Sequence, residues 1–143
     1  MAQADINLVA RIVFGEARGE IFEGQLAVAF TVVNRMNHPG FPNSIQDVVN
    51  QRCGSKHQYE TLDRGDHDAE WNKAKQHNTS EYQSAITAST DALCGRRPDP
   101  THGCTNFAAS DPNPATSSNQ YYNATDKRQI GNHYFVRMVP KTN

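Results

Sequence analysis

The stretch from Glu23 to Met36 constrains the fold more than any other part of this chain. Leu26, Ala27, Val28, Ala29, Phe30, Val32, Val33 and Met36 cover nearly the whole circumference of a helix. A helix that is apolar all round has no face to give to water, so it is central and other elements wrap it. Two prolines and a glycine in Asn37-His38-Pro39-Gly40-Phe41-Pro42 end it in a loop. Upstream, Leu8, Val9, Ile12 and Val13 recur at helical spacing with Phe14 adjacent, which describes a helix with one buried face, capped by Asp5 or Asn7. Gly15 weakens that helix and Gly19 is placed to end it.

Downstream, Ser44 to Asn50 reads as a short helix with Ser44 at its N-cap and Asp47 three residues on. Gln51 to Gly65 is polar and irregular. Asp68 to His77 is helical and carries Trp71 and Ala74. Ser80 to Leu93 is helical with Tyr82, Ala85, Ile86, Ser89 and Leu93 on one face, capped by Thr79 or Ser80. Two extended pieces follow, Thr105 to Ala108 and His133 to Met138. In the second, Tyr134, Val136 and Met138 alternate with His133, Phe135 and Arg137. The loop between them is rich in Asn, Ser and Asp, and loops of that length are commonly functional or mobile. The expected architecture is α+β, mainly helical, with one small antiparallel β-sheet.

The hydrophobic fraction is 36% over 143 residues, enough for one compact core and a single domain across residues 1–143. The formal net charge is -1, which gives no strong pull on nucleic acid or anionic membrane. No apolar run approaches the roughly 18 residues of a membrane helix, so no membrane insertion is expected. Met1-Ala2-Gln3-Ala4-Asp5 has neither a charged n-region nor an apolar h-region, and no signal peptide is read there. Cys94 and Cys104 flank a Gly/Pro-rich loop and are candidates for a disulfide across it, leaving Cys53 over. His57, His67 and His77 with Cys53 match no closed zinc-ligand spacing, so no metal and no cofactor are expected.

The sharpest chemical feature is Gly15-Glu16-Ala17-Arg18-Gly19-Glu20, with Glu23 close behind. An acidic cluster is ordinarily a solvated helix end. Here Glu16 follows a wholly apolar stretch, which puts it near the core, and glycines at 15 and 19 strip side chains from its surroundings. A buried carboxyl has a raised pKa, as a general acid working near neutral pH requires. Glu20, four residues on, shares its face if the helix persists. His133, at the start of the last strand and placed opposite Asn106-Phe107, is either a hydrogen-bonded structural residue or one that orients Glu16 or a ligand. Tyr121 and Tyr122, in the long loop, are candidates to stack on a ligand ring.

Leu8-Val9-Ala10-Arg11-Ile12-Val13-Phe14-Gly15-Glu16-Ala17-Arg18-Gly19-Glu20, then Glu23-Gly24-Gln25-Leu26-Ala27-Val28-Ala29 and Val32-Val33-Asn34-Arg35, resembles the cell-wall hydrolase family of spore-cortex-lytic enzymes. Pro39-Gly40-Phe41-Pro42, Gln58-Tyr59, Asp99-Pro100-Thr101 with Gly103, Phe107, and Ile130-Gly131-Asn132-His133-Tyr134-Phe135 continue the likeness in order, from about Leu8 to Arg137. Cys104 departs from it, standing where the family commonly has a small apolar residue, and Gly54 to Asn78 is more polar and His-rich. The resemblance implies a lysozyme-like fold of the lytic transglycosylase kind. It also implies a peptidoglycan substrate cut between N-acetylmuramic acid and N-acetylglucosamine. It makes Glu16 the catalytic residue and Glu20 a structural or substrate-positioning one, with Gln58, Tyr59 and Phe107 lining the groove.

One essential carboxyl suffices for a transglycosylase that makes a 1,6-anhydro product. A hydrolytic muramidase would use a second acid, for which Asp63, Asp66, Asp68 and Asp99 are available in the sequence. A catalytically silent peptidoglycan-binding module is the alternative from another class, and the presence of Glu16 disfavours it. The expected partner is the glycan strand, the expected state a monomer, and the expected location extracellular or at the cell wall.

Overall fold

The apolar helix lies where its residues require it to lie. A computed structural model describes residues 2–110 and 124–138. In it, helix α2 (Phe22–Met36) is buried at every position from Gly24 to Val32. Helices α1 (Gln3–Ala17) and α5 (Ser80–Leu93) pack against α2 and against each other. Small residues allow the close approach: Ala10 on α1, Ala27 and Ala29 on α2, and Ala85, Ala88 and Ala92 on α5 are all buried. Helix α3 (Ile45–Val49) packs against α1 and α2. Helix α4 (Gly65–His77) is anchored by Trp71, whose ring lies 5.4 Å from Phe14 and 5.2 Å from Tyr82.

The caps of α3 and α5 are those read from the sequence. Ser44 Oγ accepts from the Asp47 amide at 3.1 Å, and Thr79 Oγ1 from the Tyr82 amide at 3.2 Å. Helix α1 differs, because it starts earlier, after Ala2, with no side-chain cap. Asp5 therefore falls in its first turn, where a carboxylate complements the positive helix end. Helix α1 also runs straight through Gly15 and ends at Ala17.

The expected sheet is present with one more strand. Strands β3 (Asn106–Ala108), β4 (Ala124–Ile130) and β5 (His133–Met138) form an antiparallel sheet in the order β3-β5-β4. Phe107 pairs with Phe135 and Arg128 with Phe135 on the other edge, so β5 is central, with Phe135 and Val136 buried. Strand β4 falls inside the stretch expected to be loop. Its sequence, Ala-Thr-Asp-Lys-Arg-Gln-Ile, lacks apolar alternation because it is a solvent-facing edge strand held by its pairing to β5. A second, minimal sheet lies in the stretch expected to be irregular. It is a hairpin of β1 (Arg52–Cys53) and β2 (Lys56–His57), turning at Gly54 with φ +67, and a 3-10 turn at Glu60–Asp63 follows.

The C-terminal end of α2 is bolted to the larger sheet. Asn34 Nδ2 donates to Asp99 Oδ2 at 2.8 Å and to the Cys104 carbonyl at 2.9 Å. Arg35 Nε donates to the Thr105 carbonyl at 2.6 Å. His38 Nδ1 accepts from the Gly40 amide at 2.9 Å, which makes Nε2 the donor to the Met138 carbonyl at 2.7 Å. The expected disulfide does not form. Cys94 is exposed at the end of α5, while Cys104 is buried with its thiol on the Thr101 carbonyl at 3.3 Å. Among the described residues no helix is long and apolar enough to cross a membrane.

Candidate active site

Glu16 is the next-to-last residue of α1. The helix buries Val9, Ile12, Val13 and Ala17 in the core, and this delivers Glu16 to the point where α1 meets the 3-10 turn, across a cleft from the sheet. Its Oε1 accepts the Thr61 amide N–H at 2.9 Å. Burial pushes its carboxyl above the ordinary value, and the charge of Glu60 pushes the same way. The Thr61 amide, His133 and His67 act in the opposite sense and are outweighed. Its place at the negative end of the α1 dipole also disfavours the ionised form. In the protonated acid the carbonyl oxygen is the better acceptor for the Thr61 N–H, which leaves the O–H on the other oxygen to be donated.

Thr61 is itself held from behind. Arg11, buried on α1, forks onto it, with one nitrogen donating to Oγ1 at 2.9 Å and the other to the carbonyl at 3.2 Å. The Thr61 hydroxyl also meets His67 Nδ1 at 2.9 Å. Because Arg11 can only donate, the hydroxyl proton is available to His67. This packing explains Gly15. A Cβ there would sit 1.7 Å from Thr61 Oγ1, so the space that the glycine leaves is filled by Thr61 and not kept for a ligand. Beside Gly19 the space is open.

Glu16, Arg35, Gln58, Tyr59, Glu60, Phe107 and His133 line one cleft of about 200 Å³. Of the residues expected from sequence, it therefore gathers Glu16, Gln58, Tyr59, Phe107 and His133. Tyr59 is a wall fixed from behind. Thr31 Oγ1 spends its proton on the Val28 carbonyl, so the buried Tyr59 hydroxyl donates to Thr31 Oγ1 at 3.2 Å. The Phe107 ring stands 6.2 Å from Tyr59 and meets His133 edge-on at 5.4 Å. In register His133 faces Ile130, not Asn106-Phe107; only its ring reaches Phe107. A wider polar cavity of about 590 Å³, lined by Lys56, His57 and Arg64 among others, shares Gln58 and Glu60 with the cleft and extends it.

Glu20 does other work. Its Oε1 accepts the Asn132 amide at 2.7 Å and its Oε2 accepts Asn132 Nδ2 at 3.0 Å. The Asn132 amide holds its carboxyl below the ordinary value. Gly131, at φ +59, lets the β4–β5 turn approach, since a Cβ there would lie 2.6 Å from Glu20 Oε1. Glu20 thus clamps the sheet to the α1–α2 junction.

The four aspartates kept open as a second acid do not line the Glu16 cleft. Asp63 holds His57, with Oδ1 at 2.7 Å from Nδ1; Asp66 lies by Arg64; Asp68 is 3.9 Å from Arg11. Asp99 accepts from Asn34, Gly103 and both the amide and hydroxyl of Thr101. The second carboxyl in the cleft is Glu60, which the sequence reading missed together with Arg11 and Thr61. Tyr121 and Tyr122 lie outside the described residues. Among the described residues no group of His, Cys, Asp and Glu is arranged to hold a metal.

A carboxyl whose pKa burial raises, at the edge of a cleft walled by aromatics and an amide, is equipped to donate a proton to an amphipathic ligand. The model of the cell wall hydrolase family matches residues 19–136, most of the chain, beginning just after Glu16. The chain belongs to the cell wall hydrolase family. It is 56% identical over 45 residues to the spore cortex-lytic enzyme of Bacillus subtilis, a match covering 32% of this chain and 15% of that protein. Against the spore cortex-lytic enzyme of Oceanobacillus iheyensis it is 50% identical over 48 residues, covering 34% and 17%. The matched stretch is thus a small part of either relative's length. The fold aligns with the catalytic domain of the germination-specific lytic transglycosylase SleB from Bacillus anthracis at a TM-score of 0.66 and 27% identity, covering 96% of this chain and 97% of that one. The catalytic domain of Bacillus cereus SleB aligns at 0.64 and 28%, covering 95% and 91%. The mainly helical, lysozyme-like α+β class read from the sequence is the observed one, with two small sheets in place of one.

Proposed function

We propose that this domain cleaves the glycan strand of peptidoglycan between N-acetylmuramic acid and N-acetylglucosamine as a lytic transglycosylase, with Glu16 as the single general acid and base. The observation that carries the reading is the half-buried carboxyl of Glu16, held through one oxygen by the Thr61 amide on the wall of the cleft, with its pKa raised by desolvation. Kinship with spore cortex-lytic enzymes and likeness to the catalytic domain of a germination-specific lytic transglycosylase support the substrate and the outcome.

The protonated Glu16 donates to the glycosidic oxygen as the bond to the muramic anomeric carbon breaks. The carboxylate left behind takes the proton of the muramic 6-hydroxyl as that oxygen attacks the anomeric carbon. Glu16 ends as it began, no water is consumed, and the product carries a 1,6-anhydro ring. One carboxyl therefore suffices, unlike ordinary glycoside hydrolysis with its two. Glu20, Gln58, Phe107 and His133 support or line the site, and Tyr59 forms its wall. The substrate places the enzyme's work at the cell wall, outside the membrane. Export and bacteriolytic action follow from that reading, and the domain acts as a monomer on its strand.

The test is a digest of purified peptidoglycan by wild type and Glu16→Gln, with products read by mass spectrometry. Muropeptides lighter than hydrolysis products by one water, absent with the variant, are expected. Reducing-end products would make the enzyme a muramidase and point to Glu60 as the second carboxyl. Binding without release from the wild type would leave a binding module. Activity abolished by a chelator would point to metal chemistry instead.

A further inference from the structure

Arg35 sits in the last turn of α2, 3% exposed, and lines the cleft that holds Glu16. Its guanidinium is stacked on two rings, 4.7 Å from the centroid of Tyr59 and 5.0 Å from that of Phe41. Nε is spent on the Thr105 carbonyl. Nη1 is buried without a hydrogen-bond partner, and among the described residues no carboxylate forms an ion pair with Arg35. A guanidinium has five N–H donors, and leaving a buried cation unpaired is costly. The two rings offset part of that cost. His133 Nδ1, from the same cleft, is turned to the Glu20 carboxylate, 3.5 Å from Oε1. An unmet, buried guanidinium N–H in a small cleft, fixed by its neighbours, describes a receptor lacking its ligand's oxygen.

We propose that Arg35 is a substrate-binding residue that receives the carbonyl oxygen of a sugar acetamido group. This rests on the glycosidase reading above. The chemistry of the cleft selects among the acceptor oxygens a glycan strand carries. Glu60 lines the same space, and a carboxylate brought beside it would be repelled and would compete with Glu16 for its proton. A neutral acetamido group meets no such cost. Its oxygen suits the guanidinium, and its methyl suits Phe107 and Ala108 on the same wall. The fixed stacking of Arg35 means that little conformational entropy is lost on binding.

Two measurements test this. In the first, wild type and Arg35→Lys are given intact peptidoglycan, chemically de-N-acetylated peptidoglycan, and peptidoglycan stripped of its peptide stems. The wild type is expected to lose about tenfold to a hundredfold in kcat/KM when the acetyl groups are removed, the scale of one hydrogen bond to a charged group. It should be nearly indifferent to stem removal. Arg35→Lys, which keeps the charge but not the fork, should be slower on intact substrate and should lose most of the acetyl discrimination. A wild type indifferent to the acetyl group, or discrimination that follows the stems instead, overturns the proposal.

The second measurement needs neither turnover nor a foldable Arg35 variant. The Arg35 guanidinium nitrogen resonances are followed in Glu16→Gln while N-acetylglucosamine oligomers or glucosamine oligomers are added. A shift with the acetylated oligomer alone is expected. A guanidinium that ignores it overturns the proposal even where the wild type cleaves peptidoglycan. A response to it with no cleavage of any substrate sinks the glycosidase reading and leaves the Arg35 site standing.

Discussion

Replacing Gly15 with alanine separates what helix propensity predicts from what this packing predicts. In the interior of a helix alanine is favoured over glycine by about 1 kcal/mol, so an isolated α1 would be strengthened. In the folded protein the new Cβ falls 1.7 Å from Thr61 Oγ1, 2.5 Å from Thr61 Cβ and 2.9 Å from a terminal nitrogen of Arg11. Neither neighbour has room to yield, since Thr61 is 1% exposed and Arg11 8%. The 3-10 turn must back away, and overpacking of that kind costs about 1–3 kcal/mol. Retreat of Thr61 also strains the Arg11 fork, where a hydrogen bond from a charged donor contributes about 1.5–3 kcal/mol. The net expectation is a loss of about 2 kcal/mol or more, read as a lower midpoint in urea at unchanged slope. Turnover should fall further than stability alone requires, because the Thr61 amide leaves Glu16. Adding Thr61→Gly to Gly15→Ala removes the overlapping Cβ, so the pair should cost less than the sum of the two singles. A Gly15→Ala protein that is as stable as wild type or more so, with normal turnover, would refute this account of the site.

Glu16 holds its proton more tightly folded than unfolded, so it contributes stability below the ordinary carboxyl range, about 4.3, which is lost as pH rises through its folded value. Glu16→Gln should therefore melt higher than wild type near neutral pH, the gap closing in acid, and scans against pH check it. Glu20 has the opposite sign. Its folded value is lowered, so its contribution is present above the ordinary range and lost as pH falls through the folded value. Glu20→Gln should melt lower at neutral pH, converge with wild type in acid, and reduce turnover less than Glu16→Gln. A thiol reagent should titrate Cys53 and Cys94 in the native protein and Cys104 only in denaturant, with no change in melting on adding reductant.

The helical core was legible because burial writes itself into spacing. Helix α5 and strand β5 fall on the residues expected of them, Ser80–Leu93 and His133–Met138, since each shows its buried face at the period of its own backbone. Strand β4 was not legible, because Asp126, Lys127 and Gln129 face solvent and the pairing that holds them belongs to β5. Strands β1 and β2 are too short for any alternation to show. Glu16 could be picked out because a carboxylate directly after an apolar run is unusual. Thr61 could not, for it meets Arg11 across 50 positions and sits in a polar stretch with no pattern. Gly15 was the one local signal, since a glycine kept inside an apolar helix marks a close approach, here by Thr61.

The clamp between Glu20 and the β4–β5 turn joins residues 112 positions apart. During synthesis, Glu16 and Glu20 leave the ribosome long before Asn132 and His133 exist to meet them. Until then the helices have nothing to close the far side of the cleft, and Glu16 stands against water. A growing chain thus carries its acid early and the far wall of its cleft late.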